Sequence, residues 1–398
     1  MNKLEEINKH SEYLNDNVDK ILDINYSFKR VLNGFRKYQS IQRCDEKFIK
    51  NILKIDEHKI ITVGEGNYML YLEEKNGEFS KISKIPTKDK ITSILLFKNG
   101  NILTSFGKKN HYNIQAWVPN ENHLVNKQSN NDLIYNKIIN EDLNLDALNE
   151  GLASSTLRQN YFQINIVNQF YENSYSFLSS HKDDINVMIE MDDSMFASGS
   201  NDKNIIIWKK DQETKKYKIY QKISKEIKNL KSGIKHMIYL YDKRFVSSDS
   251  YTSYIWNIEQ NILTNPNNYY SIQQKLSNAN GNITAMYQIR EGSIIICTNS
   301  SYFEVFSERE GKYKSVQNIN LKINCINCIN QLKDDRIIVG SHQGIIKILG
   351  LEGNEYKINE SITKIQGIPI QCIESFEDGS FLVGQKAILH VWKNNESI

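Results

Sequence analysis

All 4 tryptophans of this chain fall at one place in a recurring strand–turn–strand unit. The stretch "MFASGSNDKNIIIWKK", Met195 to Lys210, reads as a strand, a tight polar turn and a second strand reaching Trp208. "RFVSSDSYTSYIWN" reaches Trp256, "NILTSFGKKNHYNIQAWV" reaches Trp117 and "SFLVGQKAILHVWK" reaches Trp392. Further copies place Leu72, Phe306 and Leu349 at the same point, and a weaker one, "GLASSTLRQNYFQINIV", places Ile166 there. The anchors Leu72, Trp117, Ile166, Trp208, Trp256, Phe306, Leu349 and Trp392 are spaced by 42 to 50 residues. A period of about 40–45 residues with four strands per unit is that of a propeller blade.

Each unit carries the parts a blade needs. In the best copy an apolar strand, Ile185 to Met191, precedes the quoted hairpin, and a lysine-rich strand, Lys216 to Ile223, follows it. Four short strands joined by tight turns make one twisted antiparallel sheet. The 22 tyrosines, abundant isoleucine and only 4 prolines suit strands, because β-branched and aromatic side chains pack well on a pleated surface.

The copy from Ser180 to Lys210 resembles the WD40-repeat family. His181 stands where that family has the histidine of its Gly-His pair, with Ser180 in place of the glycine. Ser198, Asp202 and Trp208 match the serine, turn aspartate and tryptophan of the family's structural hydrogen-bond network. A buried imidazole needs partners for both ring nitrogens. The other copies carry Gly66, His111, Asn160, Ser250, Ser300, Gln343 or Lys386 at the aspartate position. The resemblance implies an all-β, WD40-like β-propeller over residues 37–398. The anchor count favours eight blades, with seven the alternative. The last blade lacks a fourth strand after Trp392, and Lys37 to Cys44 is placed to supply it and close the ring.

Residues 1–36 have a different period. Leu4, Ile7, Leu14, Val18, Ile21, Phe28, Leu32 and Phe35, with Ser11 and Asn25 in the gaps, follow a 3-4 spacing. That predicts an amphipathic helix whose apolar stripe needs a partner surface. It packs on the propeller, forms a self-associating or partner-binding coiled coil in which Asn25 would fix register, or is a tail that is disordered in isolation.

Signatures of other chemistry are weak. Cys325 and Cys328 fall on a predicted strand, and residues three apart there point to opposite faces, so core thiols are expected and no metal site. The chain has no nucleophile elbow, phosphate-binding loop or zinc-protease motif, and no enzyme activity or cofactor is expected. The net charge of +3 sets no strong global field, so nucleic acid is not an expected partner. The ten lysines from Lys209 to Lys235 are read as a solvated blade edge, the alternative being a basic patch for an acidic partner, RNA or anionic lipid. The N-terminus has no signal-peptide core and no apolar run long enough to span a bilayer. With 5 scattered cysteines, a cytoplasmic location is expected.

The resemblance therefore implies a non-catalytic scaffold or adaptor that binds proteins or peptides on its loops. The face expected to do so carries Glu65, Lys108, His181, Lys182, Asn201, Lys203, Tyr251, Ser300, His342 and Lys386. The alternatives are a structural subunit of a large cytoskeletal or ribonucleoprotein assembly, anchored by the N-terminal helix, and a substrate-recognition adaptor for ubiquitin transfer.

Overall fold

The computed structural model describes residues 35–45, 47–87, 89–107, 113–119, 171–224, 230–258, 270–277, 281–363 and 367–394. These residues form seven four-stranded antiparallel sheets. The first strand of each sheet lies beside the first strand of the next, round to the start, so the sheets are blades set radially about a common axis.

Among the described residues the count is seven, not the eight that the anchor spacing favours. In blade two the third strand, Asn113–Pro119, pairs with Tyr171–Leu178, Ala116 opposite Tyr175. The outer strand of that blade therefore follows a long insertion, and the weak copy anchored at Ile166 lies in this insertion, outside the described residues. A clearer marker of blade number is a buried isoleucine followed by a polar residue at, or in blade four just before, the start of each innermost strand. The pairs are Ile49-Lys50, Ile91-Thr92, Ile185-Asn186, Ile234-Lys235, Ile283-Thr284, Ile326-Asn327 and Ile370-Gln371. The step from Ile91 to Ile185 is roughly twice the usual repeat.

The ring closes with Phe35–Ile41, which pairs antiparallel with the last strand, Ile388–Asn394. Phe35, read above as the last residue of a helical seam, instead opens this strand. The remaining seam residues, Leu4 to Leu32, and the helix they predict lie outside the described residues.

Each blade is built to one plan. The anchor residue sits at a β-bulge between the third and fourth strands, as at Tyr71/Leu72, Ile207/Trp208, Ile255/Trp256 and Ile348/Leu349. A bulge increases local twist, and the twist carries the outer strand away from the axis plane. Three tryptophans lie flat against the phenylalanine opposite them, Trp208 on Phe196, Trp256 on Phe245 and Trp392 on Phe381, with ring centroids 5.6–6.0 Å apart. These pairs are buried between neighbouring blades, where each aromatic ring contributes a large apolar area.

The outer strands interlock from blade to blade. Gln221, Gln274 and Gln317 each bond through both amide atoms to the backbone of an aromatic residue on the next outer strand, Tyr270, Tyr313 and Tyr356 respectively. Gln39 does the same to Phe79 across the closure. An aromatic residue four places before a glutamine (Phe35…Gln39, Tyr217…Gln221, Tyr270…Gln274, Tyr313…Gln317) is the sequence trace of this device.

Among the described residues, no helix is long and apolar enough to cross a membrane.

Candidate functional site

The tryptophan, serine, histidine and aspartate of blade three come together in one chain of hydrogen bonds. Trp208 Nε1 donates to Ser198 Oγ at 2.9 Å. Ser198 Oγ lies 2.9 Å from His181 Nε2, and His181 Nδ1 lies 3.1 Å from Asp202 Oδ2. The consistent assignment has the serine hydroxyl donating to Nε2 and Nδ1–H donating to the carboxylate. Burial alone would raise the Asp202 pKa; the bonds from His181, the Lys182 N–H and the Asn204 N–H outweigh it and hold the carboxyl well below the usual range. The order Ser-His-Asp matches that of a hydrolytic triad, but Ser198 and Trp208 are buried. No substrate can reach the Ser198 oxygen, and the indole N–H occupies it.

Asp202 also ties two loops together. It sits in the turn between the second and third strands and accepts the Lys182 N–H, from the loop entering the blade, at 2.8 Å. Blades one and four make the same tie with differently placed carboxylates. Asp45, in the loop entering blade one, accepts the N–H groups of Glu65 and Gly66 at 2.9 and 3.2 Å. Asp249, in the turn of blade four, accepts from Lys231, Tyr251 and Thr252 at 2.7–2.9 Å. In blade five, Asn299 Oδ1 accepts the Asn282 N–H at 2.8 Å. Asp45, Asp249 and Asn299 escape the repeat pattern because none stands six residues before its anchor: Asp249 and Asn299 stand seven before Trp256 and Phe306, and Asp45 lies in the other loop. Their signal is a short Asx side chain, which favours local backbone bonding, on either of the two loops.

These loops form one face of the disc. On it Lys182, Lys203, Ser300, His342 and Lys386 are exposed, Glu65 and Asn201 are half-buried, and Tyr251 is 42% exposed. His181 is buried beneath them, in the hydrogen-bonded chain. Lys108 lies outside the described residues.

The cysteine pair does not converge. Cys325 precedes the innermost strand of blade six with a positive φ of 46°, and its Sγ lies 3.4 Å from Asn327 Oδ1. Cys328 lies within the strand against Gly340, and burial raises its thiol pKa. Among the described residues no group of three or more His, Cys, Asp or Glu side chains is arranged to hold a metal.

The same architecture is found in a solved structure titled "Crystal structure of WD40 beta propeller domain of Doa1", with a TM-score of 0.60 and 13% sequence identity over 90% of this chain and 97% of that one. The fold is a WD40 β-propeller. No protein-family profile and no curated protein matches the sequence. The WD40 likeness thus rests on the ring of seven four-stranded blades, the blade-three network and the structural match.

Proposed function

We propose that the protein is a non-catalytic interaction scaffold that docks other proteins on the face carrying the carboxylate-tied loops. The observation that carries this reading is the set of ties made by Asp45, Asp202, Asp249 and Asn299. Loops are ordinarily the mobile part of a fold. In blades one, three, four and five the two loops are fastened to each other, so the side chains they present are pre-positioned, and pre-organised surfaces lose less entropy on binding. The Ser-His-Asp chain below this surface is closed to solvent and serves the same rigidity.

Two variants of the full chain test the reading by affinity capture with mass spectrometry. Tyr251→Asp with Ser300→Asp alters the loop face; Tyr241→Asp alters the opposite face, where Tyr241 is 68% exposed. The expected result is loss of the wild-type partners from the first variant and retention by the second. The reverse pattern would overturn the proposal.

A further inference from the structure

Charges are distributed differently on the two faces of the disc. On the face opposite the tied loops, basic side chains are matched by acids: Lys54 with Glu57, Arg244 with Asp242 and Glu308, Arg336 with Asp334. On the loop face, among the described residues, the carboxylates Asp45, Asp202 and Asp249 are turned inward onto backbone N–H groups. Glu65, Asp89, Asp183 and Asp184 remain on this face, with Asp184 favouring the charge of Lys90, and they are outnumbered by Lys50, Lys90, Lys182, Lys203, Lys235 and Lys347. Lys50 and Lys90 share the single carboxylate of Glu65, at 3.6 and 2.8 Å. Lys235 Nζ bonds the neutral amide oxygen of Asn201 at 2.8 Å, an atom that already accepts from Asn186 Nδ2. Lys203 and Lys347 bond the backbone carbonyls of Leu230 and Leu321.

Lys50 and Lys235 hold equivalent positions, directly after the isoleucine at the entry to the innermost strand, Ile49 as its first residue and Ile234 two residues before it. Both isoleucine N–H groups donate to a carbonyl on the preceding blade, Ile49 to Lys386 and Ile234 to Ser200. The two ammonium groups therefore belong to the inner rim of the disc, and Lys90 flanks the first of them. Burial, and then the neighbouring Lys90, lower the Lys50 pKa. Burial, and then Lys322, lower that of Lys347. At the first place two ammonium groups share the one carboxylate of Glu65, and at the second the like charge of Lys322 stands near Lys347, so an incoming anion relieves the repulsion.

We propose that this face binds an acidic protein segment, with Lys50, Lys90 and Lys235 at the inner rim and Lys203 outside them as the carboxylate-binding groups. This rests on the docking face argued above and names the chemistry of its partner. An acidic peptide is favoured over nucleic acid because the rim is made of lysine. Phosphate recognition favours the arginine fork, and single strands favour a row of stacking aromatics. Tyr251 is the exposed large aromatic residue of this face among the described residues, and the Lys231 ammonium already lies 5.1 Å from its ring centroid. Pairs of this kind steer encounter and fix register, and are weakened by salt.

The test is fluorescence anisotropy with the full chain and a fluorescein-labelled peptide of alternating Asp and Glu. A Gln/Asn peptide of equal length, a labelled oligothymidylate and phosphatidylserine vesicles are the comparison probes. We expect saturable binding of the acidic peptide that weakens with added salt. Lys50→Gln with Lys235→Gln should weaken it by about tenfold or more, and Lys333→Gln with Lys314→Gln on the opposite face should leave it unchanged. Lys235→Gln alone serves if the pair lowers the melting temperature. Absence of binding, equal binding of the neutral peptide, equal loss in the opposite-face variant, or tighter binding of the oligonucleotide or vesicles would overturn the proposal. A capture experiment in which Tyr251→Asp with Ser300→Asp loses the partners while the lysine variants keep them would remove the charge inference and leave the docking face standing.

Discussion

Trp392 lies on Phe381 as Trp208 lies on Phe196, yet two residues beyond Phe381 stands Val383, where blade three has Ser198. The Trp392 Nε1 is consequently buried with no acceptor. The other three tryptophans all have one: Thr104 Oγ1 for Trp117, Ser198 Oγ for Trp208 and Ser247 Oγ for Trp256. A buried donor without a partner costs about 1–3 kcal/mol.

Threonine has the shape of valine and supplies the missing oxygen, as Thr104 does in blade two. Val383→Thr is therefore expected to stabilise the chain by about 1 kcal/mol, read as a higher urea midpoint at constant slope. An unchanged or lower midpoint would show that the indole N–H is not the weak point of blade seven.

Asp202 gives a pH-dependent prediction. A carboxylate held below its ordinary range contributes stability that is present above the unfolded pKa of about 4 and is lost as pH falls toward the folded value. Asp202→Asn should cost about 1.5–3 kcal/mol at pH 7, the range for hydrogen bonds involving a charged group. The gap from wild type should narrow below about pH 4. Denaturation curves at several pH values check this; a gap that does not change with pH would exclude the charged hydrogen bonds as its source.

Glu374 carries the opposite sign. It lies on the innermost strand of blade seven, Ile370–Ser375. Burial pushes its pKa up to about 7, against the lowering effect of the Lys54 ammonium. A raised carboxyl favours the folded state below its unfolded pKa, and that stability is lost as pH rises through the folded value. Glu374→Gln should thus match wild type near or below about pH 4, the unfolded pKa, and exceed it in melting temperature above about pH 7, the folded value. Parallel pH profiles for the two proteins would contradict the burial of this acid.

The glutamine interlocks should contribute measurably at each blade boundary. Gln317→Ala removes the partners of both the N–H and the C=O of Tyr356 and is expected to cost about 1–2 kcal/mol. Gln317→Glu should also destabilise at pH 7, because a carboxylate keeps the acceptor and loses the donor. If glutamate is as stable as glutamine, the bond to the Tyr356 carbonyl carries no weight.

The blade plan was legible because its strongest constraint, a bulky residue at a bulge, recurs at an almost fixed spacing. Strand order and the non-covalent closure followed from it. The number of blades was not, because anchor spacing weighs every apolar residue equally. Ile166 falls at a plausible distance, while the outer strand of blade two lies beyond the insertion that contains it. The isoleucine-polar pairs mark the blades better, since an innermost strand must be apolar where it packs and polar where it reaches the rim. In the site, His181, Ser198, Asp202 and Trp208 were readable because their spacing is fixed within one hairpin. The ties of Asp45 and Asp249 were not, because the same bond can be made from either loop. Phe35 kept a helical spacing with residues before it, and periodicity cannot register that its partners are Phe381 and Asn394 at the other end of the chain.

That long-range pairing sets the last prediction. Blade seven alone is assembled from both ends of the chain, with Phe35 opposite Asn394 and Ile41 opposite Leu389. Phe35 packs edge-on against Phe381 with centroids 4.9 Å apart, and the Arg336 guanidinium lies 5.3 Å from its ring. Phe35→Ala removes this contact and should cost about 3 kcal/mol. The loss is expected to appear first as local opening, because joining two chain ends has no covalent support and a large entropy of closure. Hydrogen exchange should accelerate in Ile388–Asn394 before it does in the outer strands of blades three to six. Uniform acceleration round the ring would mean that the closing strand does not open separately and that the propeller unfolds as a single unit.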